Sequence, residues 1–543
     1  MNQAIFRFGR PPHEPVLPYG PGSMEKKLLK QELKRQVGQE IEIPLIIGGK
    51  EVRTGNTGRV VMPHDHGHCL ATYHKTGPKE AHMAIEAALE AQKLWMSLSW
   101  IERSSIMLRA AELMSKKYRH LINAATMLGQ GKNVQQAEID AVCESIDYLR
   151  FNVHFASGIY EGQPLPGGDS VNRLEYRPLE GFVFAVTPFN FTAIALNLNA
   201  SVVLMGNTTV WKPATTAVLS GYYLMKIFEE AGMPEGVINF VPGPSGSFAD
   251  TVLSHPDMAG LHFTGSTGTF QTLWKTVASN MDNYKCYPRL VGETGGKDFV
   301  FAHPSADPEE LVTALVRGAF EYQGQKCSAA SRFYIPRSLW EKTREMLVDW
   351  TEELKMGDVQ DFRNFSNAVI DETAYEKIMG YIERAKTSPD ATILAGGEGD
   401  RSRGYFIRPT VIEVKDPCYV TMQEEIFGPV LSVYVYEDRA YIETLELCDK
   451  TSPYALTGAF FGKDRYCMME ACRRLRYAAG NFYINDKPTG AVVGQQPFGG
   501  SRRSGTNDKA GSRLNLLRWV SPRTVKENLL PPRHYSYPFM EEE

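Results

Sequence analysis

Between residues 182 and 263 the chain repeats one pattern: a short apolar run, a turn signal, and a segment long enough for a helix. The four apolar runs are FVFAV (182–186), TTVW (208–211), VINFV (237–241) and GLHF (260–263). Continuous apolar runs of this length are typical of parallel strands buried on both faces. The alternation therefore predicts βαβ units in a doubly wound α/β sheet, which binds ligands beyond the carboxyl ends of its strands.

The residues before this series have the spacing of amphipathic helices. Apolar side chains recur every three or four positions across residues 79–153, which places them on one face of each helix. Glu144 lies off this apolar face, so the pattern predicts that it faces solvent. One such apolar face consists of Ile139, Val142, Ile146, Leu149 and Val153.

A second series of alternating strands and helices begins near residue 296, after the turn that ends the first series. The connector 161–181 is interpreted as a β-hairpin, and the tail after residue 512 as an extended element that leaves the globule. The strands of the second series are expected at 299–303, 331–335, 431–436, 457–461 and 481–485.

Composition excludes several classes of protein. The 543 residues are 43% apolar and 22% charged, with a formal net charge of −4, so no basic surplus points to nucleic acid or anionic lipid. Residues 181–211 lack charged side chains but hold several asparagines, which favours buried core over a membrane span. Eight cysteines without a C-x-x-C pair indicate a reducing compartment: the cytoplasm, or alternatively the mitochondrial matrix. No metal site is expected.

Polar residues follow the predicted strands at the edge that parallel strands share. Asn190 comes after the first strand and Lys212 after the second, and FTGSTGT (263–269) leads from the fourth strand into a helix. Glycines in such a turn let a phosphate approach the helix N-terminus, although each element alone is a common cap or turn. The sequence therefore predicts a phosphate-binding edge.

Two further motifs carry reactive groups. Glu293 lies among glycines in GETGGKD, and Cys327 lies in GQKCSAASR. A lone free cysteine is more often an inert small hydrophobe. However, a thiolate can add to an aldehyde, an amide can stabilise the resulting oxyanion, and a carboxylate can activate water. Their occurrence together with a phosphate-binding edge points to aldehyde oxidation with a nicotinamide cofactor.

From about residue 40 onward these motifs resemble those of the aldehyde dehydrogenase family. GQKCSAASR resembles its nucleophile loop, GETGGK its glutamate motif with threonine in place of leucine, and PFNF its Pro-Trp-Asn-Phe. The resemblance implies that Cys327 is the nucleophile, Glu293 the general base and Asn190 an oxyanion donor.

The resemblance also implies an aldehyde dehydrogenase-like α/β fold of three parts. These are a Rossmann-type NAD-binding domain, an α/β catalytic domain, and a small β oligomerisation flap with the tail. The expected boundaries are 1–160 with 182–295, then 296–512, and 161–181 with 513–543.

NAD is the cofactor that the resemblance implies, because WKPA, FTGS and QEEIFGPV match the family's cofactor elements. Many NAD-preferring members carry a glutamate three residues after the motif lysine. Thr215 stands there in this chain, so preference for NAD with weak use of NADP is expected. The residues expected at the cofactor are Thr187, Phe189, Lys212, Pro213, Thr215, Gly265, Ser266, Thr267, Gly268, Thr269, Glu425 and Phe427.

A narrower resemblance concerns the substrate. Lys326 and Ser328 beside the nucleophile, and segments 481–500 and 504–511, resemble the 1-pyrroline-5-carboxylate dehydrogenases. That subfamily oxidises glutamate γ-semialdehyde to glutamate in proline degradation. A substrate with an α-carboxylate needs convergent donors, which a serine hydroxyl and the backbone of a turn can supply. The residues expected around it are Ser328, Gly490, Ala491, Phe191, Phe498, Glu144 and Lys326.

The resemblance further implies a homodimer or higher homo-oligomer and a functional link to a separate proline dehydrogenase. Other functions remain open: a broad-specificity or other semialdehyde dehydrogenase, a CoA-acylating dehydrogenase, a cysteine-dependent acyltransferase or hydrolase, and a non-catalytic protein. Reduction of NAD by an aldehyde, with free acid as product and no requirement for CoA, would separate them.

Overall fold

Two seven-stranded sheets follow one another along the chain. The computed structural model describes residues 7–244 and 246–542, so the first six residues of the range 1–160 and the last residue of 513–543 lie outside the described part. The first sheet has five adjacent parallel strands and two antiparallel strands at one edge. In spatial order its strands are Arg289–Glu293, Met258–Thr264, Phe182–Val186, Thr209–Lys212, Ile238–Phe240, Leu45–Ile47 and Lys50–Val52.

The second sheet is parallel except for its first strand. Its central strands are buried on both faces, as their continuous apolar sequences predict. The predicted doubly wound α/β architecture is therefore confirmed. In spatial order the strands are Ala391–Ala395, Thr410–Val414, Val430–Tyr436, Ala330–Pro336, Asp298–Ala302, Thr457–Phe461 and Asn481–Ile484.

Helices cover both sheets and begin at recognisable caps. Ser99 accepts a hydrogen bond from the Glu102 backbone N–H at 3.3 Å while the Glu102 carboxylate accepts from the Ser99 N–H at 2.7 Å, which satisfies two unpaired donors at once. The α-helices of eight or more residues are Met24–Val37, Pro78–Trp95, Trp100–Leu113, Arg119–Gln130, Glu144–Glu161, Thr192–Leu204, Val218–Glu230, Gly246–Leu253, Thr267–Ser279, Pro308–Phe320, Arg337–Glu353, Glu372–Thr387, Tyr441–Lys450 and Arg465–Arg474.

The uncharged segment 181–211 forms a buried strand–helix–strand unit. Its helix, Thr192–Leu204, has 13 residues, and its amides find partners inside the protein. Asn197 accepts from the Asn152 amide at 2.9 Å, and Asn199 accepts from the Thr209 hydroxyl at 2.9 Å. Across the described ranges, no helix has the length and apolar character that a membrane span requires.

The connector 161–181 is not a hairpin. It contributes one strand, Ser170–Arg177, which pairs antiparallel with Ser521–Asn528 from the tail over eight residue pairs. The hairpin interpretation was wrong because the partner of this strand lies some 350 residues further along the chain, beyond the reach of local turn signals. A smaller sheet near the N-terminus consists of Ile41–Ile43, Asp65–His74 and Thr57–Met62.

Candidate active site

Cys327 lies in a loop between the helix Pro308–Phe320 and the strand Ala330–Pro336. The loop backbone is strained, because Tyr322 and Gln323 have positive φ angles of 52° and 54°. Both side chains anchor it: the Tyr322 hydroxyl donates to the Gln130 carbonyl at 2.8 Å, and the Gln323 amide donates to the Gly131 carbonyl at 3.0 Å. These contacts fix the position of the thiol.

Glu293 ends the strand Arg289–Glu293 and faces the thiol, with Cys327 Sγ 3.8 Å from Glu293 Oε1. Burial raises the pKa of Glu293 to about 8, while the bond from Cys327 lowers it less. Burial, and then the Glu293 charge, also raise the pKa of the Cys327 thiol well above its ordinary value. The pair therefore shares a buried site in which Glu293 can take up and release a proton at a pH near neutrality.

The glycines after Glu293 let their segment pack closely against both the nucleophile loop and the segment that carries Glu425. A Cβ on Gly296 would collide with the Cys327 carbonyl, and a Cβ on Gly295 would collide with the Glu425 carboxylate. Instead, the Gly296 backbone N–H donates to Glu425 Oε1 at 2.9 Å. The GETGG sequence thus packs the nucleophile loop against the Glu425 side chain.

Asn190 follows the strand Phe182–Val186 and is buried. Its amide donates to the Gln325 carbonyl at 3.0 Å, two residues before Cys327 along the chain. Because an amide nitrogen carries two hydrogens, the second can be donated to an oxyanion beside the thiol.

Most of the expected cofactor residues lie at or just after the carboxyl ends of strands of the first sheet, and Phe427 packs against one of them. The rings of Phe189 and Phe427 pack edge to face with centroids 6.0 Å apart, and Phe427 has a positive φ of 61°. Burial raises the pKa of Glu425, which lies in the same segment as Phe427. Thr187 accepts a hydrogen bond from Trp211 Nε1 at 2.9 Å, so its hydroxyl also supports the sheet.

Lys212 ends the strand Thr209–Lys212 at this edge, with Pro213 and Thr215 after it. Its side chain is buried, no acceptor for its ammonium is recorded in the described chain, and burial lowers its pKa to about 8. A buried cation without a partner is costly, which favours a site that is completed by a bound polar ligand.

The turn 263–269 presents a helix N-terminus to solvent. Ser266 caps the helix Thr267–Ser279 by accepting from the Thr269 backbone N–H at 3.2 Å. Gly265 packs on the Phe263 ring, and Gly268 has open space where a side chain would stand. Together with unneutralised Lys212, this geometry fits the pyrophosphate and ribose of a dinucleotide.

A cavity of about 280 Å³ contains both Cys327 and Glu293. Ser328 Oγ lies 2.8 Å from Thr489 Oγ1 in its wall. The residues expected around the substrate all line this cavity: Ser328, Gly490, Ala491, Phe191, Phe498, Glu144 and Lys326.

Comparisons with known proteins agree with this geometry. The model of the Aldehyde dehydrogenase family matches residues 51–525. The chain belongs to this family.

Individual relatives and solved structures show which members of the family this chain is similar to. The chain is 53% identical over 533 residues to the mitochondrial delta-1-pyrroline-5-carboxylate dehydrogenase of Dictyostelium discoideum, covering 98% of this chain and 96% of that protein. The NAD-bound crystal structure of the Delta-pyrroline-5-carboxylate dehydrogenase of Mycobacterium tuberculosis superposes with a TM-score of 0.96 at 50% identity, covering all of both chains. Proline utilization A of Bdellovibrio bacteriovorus matches with a TM-score of 0.88 at 27% identity, over 95% of this chain and 54% of that one.

In this aldehyde dehydrogenase, Glu144 does not face solvent as the helical pattern predicts. It lies in the cavity wall, and burial, followed by the charge of Asp140, raises its pKa well above the ordinary value. The prediction was wrong because the helix Glu144–Glu161 is covered on both faces, by core on one side and by the cavity on the other. An amphipathic pattern does not distinguish solvent from a polar cavity.

Lys326 is also buried, and its ammonium pairs with Glu321 at 3.4 Å. The pKa of the neighbouring Cys327 is raised by burial and by the charges of nearby carboxylates, and Lys326 is not among the main causes of the shift. Sequence reasoning missed a second buried cation, Lys132, which pairs with Asp140 at 2.6 Å. Its ammonium lies 4.1 Å from the ring centroid of Phe191.

Three more residues of the site were not predicted. Thr489 forms a hydrogen bond with Ser328, and Tyr148 forms one with Glu144. The positive charge of Lys509 lowers the pKa of Glu293. Thr489 and Lys509 stand inside the segments 481–500 and 504–511, so those segments held the available signal. Tyr148 follows Glu144 by one helical turn and was hidden in the amphipathic pattern.

Proposed function

We propose that this protein oxidises glutamate γ-semialdehyde, the open form of 1-pyrroline-5-carboxylate, to glutamate with NAD in proline degradation. The observation that carries the proposal is a single cavity lined both by the Cys327–Glu293 pair and by the donors of Ser328 and Thr489. The names of the relatives support the same substrate.

The first step uses the nucleophile loop. The Cys327 thiol loses its proton, with Glu293 Oε1 as the acceptor at 3.8 Å, and the sulfur adds to the aldehyde carbon to give a thiohemiacetal. The Asn190 amide stabilises the oxyanion that forms on the former carbonyl oxygen. When bound at the sheet edge, NAD supplies the hydride acceptor that turns this adduct into a thioester.

The second step belongs to Glu293. After it has released the thiol's proton to solvent, the Glu293 carboxylate takes a proton from water, the hydroxide adds to the thioester carbon, and the carbon–sulfur bond breaks to release the acid and the Cys327 thiolate. A pKa of about 8 makes Glu293 a stronger base than an ordinary carboxylate. The same residue therefore serves both steps.

The other part of the cavity recognises the α-carboxylate. The Ser328 and Thr489 hydroxyls and the backbone N–H groups of Gly490 and Ala491 are donors without a full charge, so they bind a carboxylate through hydrogen bonds alone. Phe191 and Phe498 cover the methylene chain.

Three aldehydes test the proposal: glutamate γ-semialdehyde, succinic semialdehyde and pentanal. Leaving buried donors unpaired costs about 1–3 kcal/mol each, so pentanal should have the lowest kcat/KM and succinic semialdehyde an intermediate value. Ser328→Ala should raise KM for glutamate γ-semialdehyde more than for pentanal, while Ser338→Ala, at the start of a helix and outside the lining of the described cavity, serves as control. Equal kcat/KM for all three aldehydes would identify a broad-specificity enzyme instead.

The organisation of the protein forms part of the proposal. Each seven-stranded sheet falls within one expected domain, which supports the boundaries 1–160 with 182–295 and 296–512. The ribbon of Ser170–Arg177 and Ser521–Asn528 is the surface proposed for a homodimer or higher homo-oligomer. Light scattering of the full chain, with and without charged substitutions on the ribbon, tests it.

Two further points concern the cell. We propose that a separate proline dehydrogenase supplies the substrate. This is supported by proline utilization A of Bdellovibrio bacteriovorus, a longer protein in which only about half of the chain matches this one. The free thiols support a reducing compartment, the cytoplasm or, as the name of the Dictyostelium relative suggests, the mitochondrial matrix. Fractionation of cells that express the full chain decides between them.

A further inference from the structure

Residues 7–19, here called the N-terminal strap, run along the protein without helix or strand. The strap nevertheless reaches the substrate cavity. His13, Glu14 and Val16 line the same cavity as Cys327 and Ser328. A segment with no periodic pattern thus forms part of the wall around the reacting groups.

Glu14 holds the strap in place. Its buried carboxylate accepts from Arg119 at 2.6 Å, from Ser115 at 2.7 Å and from Arg150 at 2.7 Å. Its backbone N–H donates to the Asp147 carboxylate at 2.8 Å. Hydrogen bonds to charged groups are among the stronger ones in proteins, so this point of attachment is firm.

A second attachment follows along the strap. The Glu138 carboxylate accepts from the Leu17 backbone N–H at 2.9 Å and from the Tyr19 hydroxyl at 2.8 Å. The strap is therefore fixed to the same helical wall that carries Glu144, rather than lying loosely on it.

His13 connects the strap to the turn at 489–493. Its Nε2–H donates to the Val493 carbonyl at 2.8 Å, and its ring stacks on Phe151 with centroids 4.7 Å apart. Gly494 follows in the left-handed region at φ 78°, where a Cβ would lie 2.6 Å from the Phe151 ring. The end of the turn is thus held between the imidazole and Phe151.

The turn needs such support. Gly490 has a φ of 95° and gives the backbone freedom that other residues lack. On the near side, Lys487 Nζ donates to the Thr489 carbonyl at 3.2 Å. On the far side, His13 supplies the corresponding bond to Val493. Backbone donors bind a carboxylate well only when they are held in position beforehand.

We propose that His13 is a positioning residue that holds the 489–493 turn in the shape that binds the substrate carboxylate, and that the N-terminal strap is a structural wall of the substrate cavity. The inference rests on the proposed function, because it concerns the carboxylate part of the same site. It assigns a role in substrate recognition to residues that precede the region matched by the family model.

The test uses the full-length protein and three variants of His13. His13→Ala removes both contacts, His13→Gln keeps a donor, and His13→Phe keeps an aromatic ring. The matched control is His68→Ala, because His68 Nε2 also bonds a backbone carbonyl, that of Val37 at 3.0 Å, and does not line the described cavity. KM, kcat, the dissociation constant for NAD and Tm are measured for each protein.

His13→Ala should raise KM for glutamate γ-semialdehyde about tenfold, with kcat, the NAD dissociation constant and KM for pentanal within about twofold of wild type. His13→Gln should restore part of the lost affinity, and more of it than His13→Phe, because the bond to Val493 is what holds the turn. His68→Ala should leave all kinetic constants near wild type.

Two results would overturn the inference. The first is an equal change for both aldehydes in His13→Ala, and the second is the same change in His68→Ala, since either indicates a general loss of folding stability. If His13→Ala does not fold, His13→Gln against His13→Phe decides the point. A wild-type enzyme that does not prefer glutamate γ-semialdehyde over pentanal would refute the proposed function, whereas a preference that His13 variants leave intact refutes the strap inference alone.

Discussion

The cofactor edge and the helical wall of the substrate cavity both contain buried polar or charged side chains, but they bury them in different ways. At the edge, Lys212 ends a strand and Asn190 follows one, and the topology of a parallel sheet brings such positions to the same edge. In the wall, Asp140 and Glu144 lie within helices and reach the cavity because those helices are buried on both faces.

The two regions also differ in how their charges are balanced. Lys212 at the edge has no recorded acceptor in the described chain, and burial alone lowers its pKa to about 8. Lys132 in the wall has a pKa also lowered to about 8 by burial, but it is paired with Asp140 at 2.6 Å. The wall is therefore complete by itself, whereas the edge is completed by its ligand.

The largest effect is expected at the point where the two regions meet. Cys327→Ala should abolish aldehyde oxidation, by about three orders of magnitude or more, because it removes the thiol that faces Glu293 and forms the thiohemiacetal. Binding of NAD, measured by calorimetry, should stay near wild type since the edge does not depend on the sulfur. Residual turnover close to wild type would assign the nucleophile elsewhere.

Glu293→Gln should slow acid release more than hydride transfer, by about two to three orders of magnitude in steady state. Because Glu293 also accepts the proton of Cys327, the burst of reduced cofactor in stopped-flow absorbance should form more slowly than in wild type but still precede the slow phase of acid release. In the wild-type enzyme the base form of Glu293 increases as pH rises through about 8, so steady-state turnover should rise over that range. A variant that keeps full turnover at every pH would remove Glu293 from the base role.

Stability gives an independent check on the same carboxyl group. Its pKa is about 8 in the folded protein against 4.5 as the ordinary value, so the unfolded chain loses the proton first as pH rises. Glu293 therefore reduces stability progressively between these two pH values, and the loss levels off above about pH 8. Glu293→Gln should raise Tm at pH 8 and leave it unchanged near pH 4, as measured by calorimetry.

The same contrast explains what the sequence could predict of the fold. The strands in both sheets that were predicted lie within two residues of their observed bounds, because burial on both faces leaves continuous apolar runs such as 182–186 and 457–461. Leu45–Ile47 and Lys50–Val52 escaped prediction, since three-residue strands at an antiparallel edge are too short for any period to show.

The site follows the same rule. Residues at strand ends could be placed from topology, and a resemblance supplied their roles. The helical pattern could not place Glu144 at the cavity, because burial of a helix on two faces depends on distant segments. Lys132 lies between two helices, where no periodic pattern indicates burial. The strap residues His13 and Glu14 carry no periodic signal at all, and their position results from hydrogen bonds to residues more than 100 positions away in the sequence.

A pair of substitutions tests whether the two regions act separately. Lys212→Met should raise the dissociation constant for NAD about tenfold and leave KM for the aldehyde nearly unchanged, because the cation is available to the cofactor alone. Glu144→Gln should do the opposite, raising KM for glutamate γ-semialdehyde with little change in NAD binding. Calorimetry with NAD and steady-state kinetics at saturating NAD separate the two constants, and a shared effect would show that edge and wall are coupled.

The smallest effect is expected at Thr215, which begins a short turn three residues after Lys212 and is half-buried. A carboxylate here would repel the 2′-phosphate of NADP but not the ribose hydroxyl of NAD, so charge would then add to shape in selecting the cofactor. Wild type should prefer NAD with measurable use of NADP.

Thr215→Glu should lower kcat/KM for NADP about tenfold and change the value for NAD by less than about twofold, consistent with one screened like-charge contact. Thr216→Glu, at the next position of the same turn and equally half-buried, controls for the added charge. Because the effect is electrostatic, it should shrink as salt concentration rises, which steady-state kinetics at two ionic strengths will measure. An equal loss with both cofactors would mean that residue 215 does not lie at the ribose, and that this part of the edge was placed wrongly by resemblance.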